Sequence, residues 1–263
     1  ELTRIASHEL WWGAMAMDIG AFTPFFHAFR ERETINDIME ETCGARLTMN
    51  YMVPGGVMVD IHPNFQKRVK DFIQLFKSKV NEYDELVTGN IIFQSRMKDV
   101  GYLSKEDAIS FGCSGPTARG SGVSCDVRKL YPYDVYDKVQ FEEVLETAGD
   151  SLARYMVRIR EMKQSISIIE QLIDNIPEGD FQAKTKAVIK LPKGEFYSRV
   201  ETARGDFGIY IVSEGGTTPY RIKFRSPGFS NLSALDQMAR GSKLGDLVAM
   251  MGTLDLVIPD IDR

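Results

Sequence analysis

Between about Asp150 and Ile176, apolar residues return every third or fourth position, at Leu152, Met156, Ile159, Met162, Ile166, Ile169, Ile173 and Ile176. This is the repeat of a helix with one continuous buried stripe, and Pro177 and Gly179 stop it. A helix of that length buries its stripe only against other elements, so it should be the spine of a helical bundle. Phe65, Val69, Phe72, Ile73, Phe76, Val80, Tyr83 and Leu86 show the same spacing and predict a helix from Pro63 to about Val87, stopped by Gly89-Asn90. The opening segment reads as two helices, Leu2 to about Gly20 and Thr23 to about Thr42. Thr23 is the expected N-cap, Pro24 the first helical position and Gly44 the stop.

With 263 residues and 43% hydrophobic content the chain can build a core for one large domain, or for a domain with a smaller one appended. The 32 basic and 37 acidic residues leave a net charge of -5, so no basic field favours a nucleic acid or an anionic membrane surface. Cys43, Cys113 and Cys125 lie far apart and form no C-x-x-C pair, which supports neither a disulfide framework nor a cysteine-ligated metal. A reducing, cytoplasm-facing compartment fits this usage. The chain opens on Glu1-Leu2-Thr3-Arg4, within a helical pattern and without a cationic leader, and is expected to be a fragment or a processed piece.

Leu10 to Phe29 is about as long as a spanning helix, roughly 20 residues. It contains Asp18, Pro24 and His27. A central Asp costs about 2.5 to 3.5 kcal/mol on insertion scales, and Pro24 breaks the helix. A buried helix pair is therefore favoured over a membrane span.

Arg46 to Val59, with the turn Pro54-Gly55-Gly56, reads as loop, and Phe111 to Lys129, rich in Gly and Ser, as a long structured loop of a functional kind. Phe207 to Val212 and Tyr220 to Phe224 look like paired strands joined through Glu214-Gly215-Gly216-Thr217. A last helix is expected from about Asn231 to Met251, then an extended tail whose apolar content suits burial. The fold expected is mostly α (α+β): a helical bundle core over 1–190 with its Gly-rich loop 111–129, a small β-hairpin subdomain over 191–228, and a C-terminal helix with buried tail over 229–263 completing the bundle.

Gly112 to Gly122 lacks the order G-x-x-x-x-G-K-[ST], and no strand leads into it, so a turn-rich structural loop is favoured over a nucleotide site. His8, His27 and His62 form no metal-binding spacing, and each reads as a surface or packing residue. Asp18, in an apolar helix, must be paired, hydrogen-bonded or shifted in pKa to be tolerated, and a structural and a functional role stand equal on the residues alone.

Met17-Asp18-Ile19-Gly20-Ala21-Phe22-Thr23-Pro24-Phe25-Phe26, Arg30-Glu31-Arg32-Glu33, Gly44-Ala45-Arg46 and Pro54-Gly55-Gly56-Val57 together resemble the D-type subunit family of respiratory complex I, NADH:quinone oxidoreductase. Ser114-Gly115, Arg119 to Gly122, Pro132 to Asp137 and the ending Gly252 to Arg263 resemble the same family in the same order, so the likeness covers the whole chain as the C-terminal portion of that type of subunit. The resemblance implies a proton-translocating enzyme in which this chain acts only within the complex. It would be peripheral, on the cytoplasmic face of the bacterial inner membrane, beside the B-type iron–sulfur subunit, the C-type subunit and neighbouring peripheral-arm and membrane-arm subunits. It implies a quinone, ubiquinone or menaquinone, as substrate, an iron–sulfur cluster in the partner, and no cofactor or metal bound by this chain.

The family is also similar to the large subunit of nickel-iron hydrogenases, whose ending has the order D-P-C-x-x-C-x-x-H. On this tail Asp255 keeps the acid, Val257 and Asp260 replace the two cysteines, and Arg263 replaces the histidine. Without thiolates no nickel site forms, and the pocket would take an organic substrate.

The resemblance assigns Asp18 as partner of a His absent from this sequence, as is the Tyr that completes the donor pair. It places Val257, Asp255, Asp260, Arg263, Gly55 and Gly56 at the quinone pocket, and Arg46 and Thr48 near the partner's cluster. Thr48 stands where some members carry His, and a hydroxyl does not titrate near neutrality. A cluster potential with little pH dependence, suited to menaquinone, is expected. Alternatives are a related ferredoxin- or F420-type quinone or phenazine dehydrogenase, a membrane-bound hydrogenase-like complex, or a non-catalytic scaffold for the iron–sulfur subunit.

Overall fold

The computed structural model describes residues 1–262. The predicted spine is α8 (Ser151–Leu172), and the Asp150 carboxylate caps it by accepting from the Ala153 N–H at 2.8 Å. Around it pack α1 (Leu2–Asp18), α2 (Thr23–Cys43) and α3 (Phe65–Tyr83), which continues as a wider π-turn over Asp84–Thr88. One core joins the four, with Trp12, Ile35, Phe72, Phe76 and Ile159 almost wholly excluded from water.

α1 and α2 form an antiparallel hairpin. A Cβ on Gly13 would stand 3.1 Å from the Phe25 backbone, so glycine there permits the helices' close approach. α2 begins one residue earlier than expected: Phe22 takes the cap position, Thr23 is helical and makes no side-chain cap bond. Gly44, at φ 74°, closes it as predicted.

The segment read as loop after α2 contains a two-stranded hairpin, β1 (Met52–Val53) and β2 (Gly56–Val57). Past α3, Asn90 caps α4 (Ile91–Met97) and Ser104 caps α5 (Lys105–Ser110). The Gly-rich segment is ordered rather than open loop: it holds α6 (Gly115–Arg119) and α7 (Val127–Leu130), and every residue from Cys113 to Ser121 is buried.

The sheet has three antiparallel strands in the order β3 (Gly194–Thr202), β4 (Gly205–Ser213), β5 (Arg221–Arg225). The expected β4–β5 hairpin is present, with Ile211 opposite Ile222, and β3 is additional. Most of β3 is exposed, so it carries no alternating apolar signal to read.

The single last helix is instead three: α9 (Pro227–Ser233), α10 (Leu235–Ala239) and α11 (Leu244–Leu254). They cover a second apolar cluster with Leu103, Ala118, Met238, Met250 and Leu254. The tail forms α12 (Ile258–Ile261) and is only partly buried, with Ile258 74% exposed. The whole is mixed α and β with helix dominant. Among the described residues no helix is long and apolar enough to cross a membrane.

Candidate functional site

The predicted site residues divide between two regions. Trp11 donates its indole N–H to the Gly252 carbonyl at 2.7 Å, and a Cβ on Gly252 would lie 3.1 Å from Met15. The second half of α1 is thus clamped to the end of α11. Asp18 lies one turn beyond Met15, so it shares that end of the molecule with the start of the tail.

Asp18 is not an interior carboxylate, however. It is exposed and makes no hydrogen bond or ion pair among the described residues. The reason is positional: the less buried face of α1 runs through positions 3, 7, 10, 14 and 17, and Asp18 falls at its edge on the last residue of the helix, whereas the core face runs through Ile5, Trp12 and Met15. Phe22, at the start of α2, and Phe26, in its first turn, are also exposed.

Asp255 ends α11 in the left-handed region, at φ 56°, and is 8% exposed. Arg204, on the β3–β4 turn, donates to its backbone carbonyl at 3.1 Å and to Oδ1 at 3.2 Å, while Oδ2 has no partner among the described residues. Arg158 lies near, its guanidinium 4.6 Å from the Trp11 ring centre, with Nε and Nη2 unpartnered among the described residues. Burial first, and nearby Arg204 and Arg119, lower its pKa to about 10 against the pull of Asp255 and Glu161.

Asp260 serves a structural purpose, accepting from Ser226 Oγ at 2.8 Å and from the Gly228 N–H at 2.8 Å, which secures the start of α9. Val257 is half-buried in extended backbone between α11 and α12. Arg263 lies outside the described residues.

Gly55 and Gly56 are elsewhere. They turn the β1–β2 hairpin at φ 98° and 149°, and the strand ends bond residues 181–183: Val57 N–H donates to Phe181 O, and Ala183 N–H to Gly55 O at 2.9 Å. This hairpin follows the far end of α2, whose 21 residues span roughly 30 Å from the Asp18 turn. Arg46 folds back along α2 onto Glu33, Asp37 and Glu40. Thr48 is exposed, in the left-handed region at φ 45°.

Residue-by-residue reading missed a buried ionic network. His8 Nε2 meets Glu161 Oε2 at 2.9 Å, and Glu161 Oε1 accepts from Arg119 at 2.8 Å and Arg128 at 2.9 Å. Arg119 also donates to Glu201 at 2.7 Å, and Arg4 to the Glu201 and Thr202 carbonyls. Burial raises the Glu161 pKa, but Arg119 and the His8 bond outweigh it and hold the carboxyl well below the usual range. Burial lowers His8 more than Glu161 raises it, so the ring is neutral and donates Nε2–H.

One signal was legible. Arg154, Arg158, Glu161 and Ser165 run at helical spacing beside the apolar stripe of α8, and all four are buried, so this polar stripe faces the interior rather than solvent. The Gly-rich segment contributes Arg119 and Arg128 to it. Among the described residues no three His, Cys, Asp or Glu side chains gather as metal ligands.

Residues 18–191 and 181–263 match the family described as "Respiratory-chain NADH dehydrogenase, 49 Kd subunit". The chain is 57% identical over 263 residues to the C/D subunit of NADH-quinone oxidoreductase from Bacteroides thetaiotaomicron, covering 100% of this chain and 50% of that one. It is 48% identical over 263 residues to the D 2 subunit of NADH-quinone oxidoreductase from Solibacter usitatus, covering 100% and 71%. Against the D subunit of NADH-quinone oxidoreductase from Desulfotalea psychrophila it is 48% identical over 264 residues, again covering 100% and 71%. The chain thus spans about half the length of the C/D relatives and most of the length of the D relatives. With this match running through both the α1–α2 turn and the C-terminal tail, the chain belongs to the 49 Kd subunit family of the respiratory-chain NADH dehydrogenase.

Proposed function

We propose that this chain is the quinone-site subunit of a proton-translocating NADH:quinone oxidoreductase, acting only inside that complex. The B-type iron–sulfur subunit would complete the chamber where a quinone, ubiquinone or menaquinone, is reduced. The C-type subunit would be an immediate neighbour, in keeping with relatives named C/D, and the assembly would sit at the cytoplasmic face of a bacterial inner membrane. The observation that carries this reading is the clamp of Trp11 and Met15 on Gly252, which brings the turn bearing Asp18 to the same end as the tail. A scaffold alone gives no reason for a solvent-facing acid and two exposed phenylalanines, Phe22 and Phe26, within nine residues of chain.

The hydrogenase-like reading of the tail supports an organic substrate. Val257 and Asp260 stand at the two thiolate positions, and neither is a soft ligand. Val257 offers an apolar contact for a flat ring, whereas Asp260 is already spent on the start of α9. The partner's iron–sulfur cluster would supply the electrons. This chain's part is to hold the ring and poise a proton: an ionised Asp18 favours the imidazolium form of a neighbouring histidine, which can donate to a quinone oxygen.

Asp18→Asn in the assembled complex tests this. Quinone reductase turnover should fall at least tenfold with cluster content unchanged, because the amide keeps the shape and loses the charge. Unchanged turnover and proton pumping would remove Asp18 from the scheme. A quinone photoaffinity label that reaches neither Asp18 nor Val257 would favour the scaffold.

A further inference from the structure

Two acids lie inside the bundle without any part in the site above. Glu9 and Glu31 are 0% and 1% exposed, and Oε2 of each is buried without a hydrogen-bond partner among the described residues. The hairpin geometry brings them level: Gly13 meets Phe25 and Ala28, so one turn back along α1 and one turn on along α2 set Glu9 against Glu31.

Their surroundings are unequal. Glu31 Oε1 accepts two bonds from Arg30, at 2.9 and 2.6 Å, the company of an ionised carboxylate. Among the described residues Glu9 has only the Tyr83 hydroxyl, from α3, donating to Oε1 at 3.4 Å, and Trp12 stacks on that Tyr83 ring at 4.1 Å. Arg32 is the other charged group acting on Glu9, and Glu82 acts on Arg30 from the α3 side. Like-charged carboxylates in a dry site cannot both ionise cheaply.

We propose that Glu9 and Glu31 hold one proton between them at neutral pH, Glu9 as the neutral acid and Glu31 as the carboxylate, forming an internal proton-binding site beneath the α1–α2 hairpin. Burial first and the Glu31 charge second push the Glu9 pKa well above the usual carboxyl range, in agreement with this assignment. Loss of the proton sets two negative charges across the interface that carries the Asp18 turn, so the site makes the seating of that turn sensitive to alkaline pH. The inference does not depend on Asp18 acting on quinone.

The test is pH-difference infrared spectroscopy of the purified complex, with and without 13C-labelled glutamate. At neutral pH the wild type should show the C=O stretch of a protonated carboxylic acid, shifted by the label and lost in Glu9→Gln. A band that persists in Glu9→Gln, or no glutamate-derived band at all, overturns the proposal. Should Glu9→Gln fail to assemble, Glu31→Gln decides: removing the neighbouring charge should lower the pH at which the band disappears, by about tenfold or more in proton concentration. An unshifted midpoint overturns the proposal.

Discussion

His8 and Glu161 show how a single buried pair sets the response to pH. Burial lowers the His8 pKa below its ordinary 6.5, so as pH falls the unfolded chain takes up that proton first and folding stability drops. Glu161, held below its ordinary 4.5, contributes stability that is present above that value and is lost as pH falls through its folded pKa. Both effects make the fold sensitive to acid, in successive windows. His8→Gln keeps an N–H donor for Glu161 but cannot titrate. In both proteins the neutral Glu9 adds stability as pH falls through this range, so the His8 effect is read in the difference: the urea midpoint of His8→Gln should rise relative to wild type as pH falls from 6.5 toward 4.5, and below that the two should fall together. His8→Leu, which leaves Glu161 short of a donor, should lose about 1.5 to 3 kcal/mol at neutral pH. A midpoint difference between the two proteins that does not change below pH 6.5 would show that His8 is not buried neutral.

At the scale of elements, the contact that carries Arg119 into the core depends on two glycines meeting face to face. Gly115, at φ 62°, opens α6, and a Cβ there would collide with the Arg204 carbonyl oxygen and stand 2.5 Å from Gly205 Cα. Gly112, at φ 66°, has nothing within 4 Å. Gly112→Ala should cost only the left-handed backbone strain, about 1 to 2 kcal/mol, while Gly115→Ala adds a clash of backbone on backbone, about 1 to 3 kcal/mol more. Equal urea midpoints for the two variants would mean that the loop and the β3–β4 turn are not pressed together. This junction also marks where sequence reading stops. The spine α8 was legible because Leu152 to Ile173 repeat at helical spacing and Asp150 caps them, and β4 with β5 because Ile209, Ile211 and Ile222 alternate. β3 was not, since most of its residues are exposed and its one fully buried side chain, Glu201, is a charge; the break of the last helix at Ala234 carries no proline or glycine, whereas Gly241 after Arg240, at φ 76°, was a stop signal that the reading passed over. The candidate site was legible as motifs but not in depth: Asp18 sits in an apolar sequence yet on its outward face, and the partners of Asp260 come from Ser226 and Gly228, too distant in sequence for any local pattern to predict.

Over the whole molecule, the roughly 30 Å length of α2 separates two kinds of predicted site residue: Asp18 with the tail at one end, and Thr48 with Gly55 and Gly56 beyond the other. Electrons tunnel between centres without contact, whereas protons need hydrogen-bonded contact, so the two deliveries have different distance requirements. A chain that served both would expose its cluster-facing residues to a partner and keep its proton-handling residues beside the substrate. Thr48 meets the first condition, being exposed on backbone that a β-branched residue seldom adopts. Its hydroxyl carries no titratable proton near neutrality, so the partner's cluster should show a midpoint potential nearly independent of pH. Thr48→His introduces an imidazole at that place. If Thr48 faces the cluster, redox titration of the assembled complex should then show the potential falling with rising pH near the histidine pKa, approaching about 59 mV per pH unit for one proton per electron. Thr48→Asn, which accepts the left-handed backbone more readily and does not titrate, separates charge from conformation: it should leave the potential flat. A pH slope already present in the wild type, or none in Thr48→His, would place Thr48 away from the electron-transfer face and leave Asp18 and the tail as the one functional end of the chain.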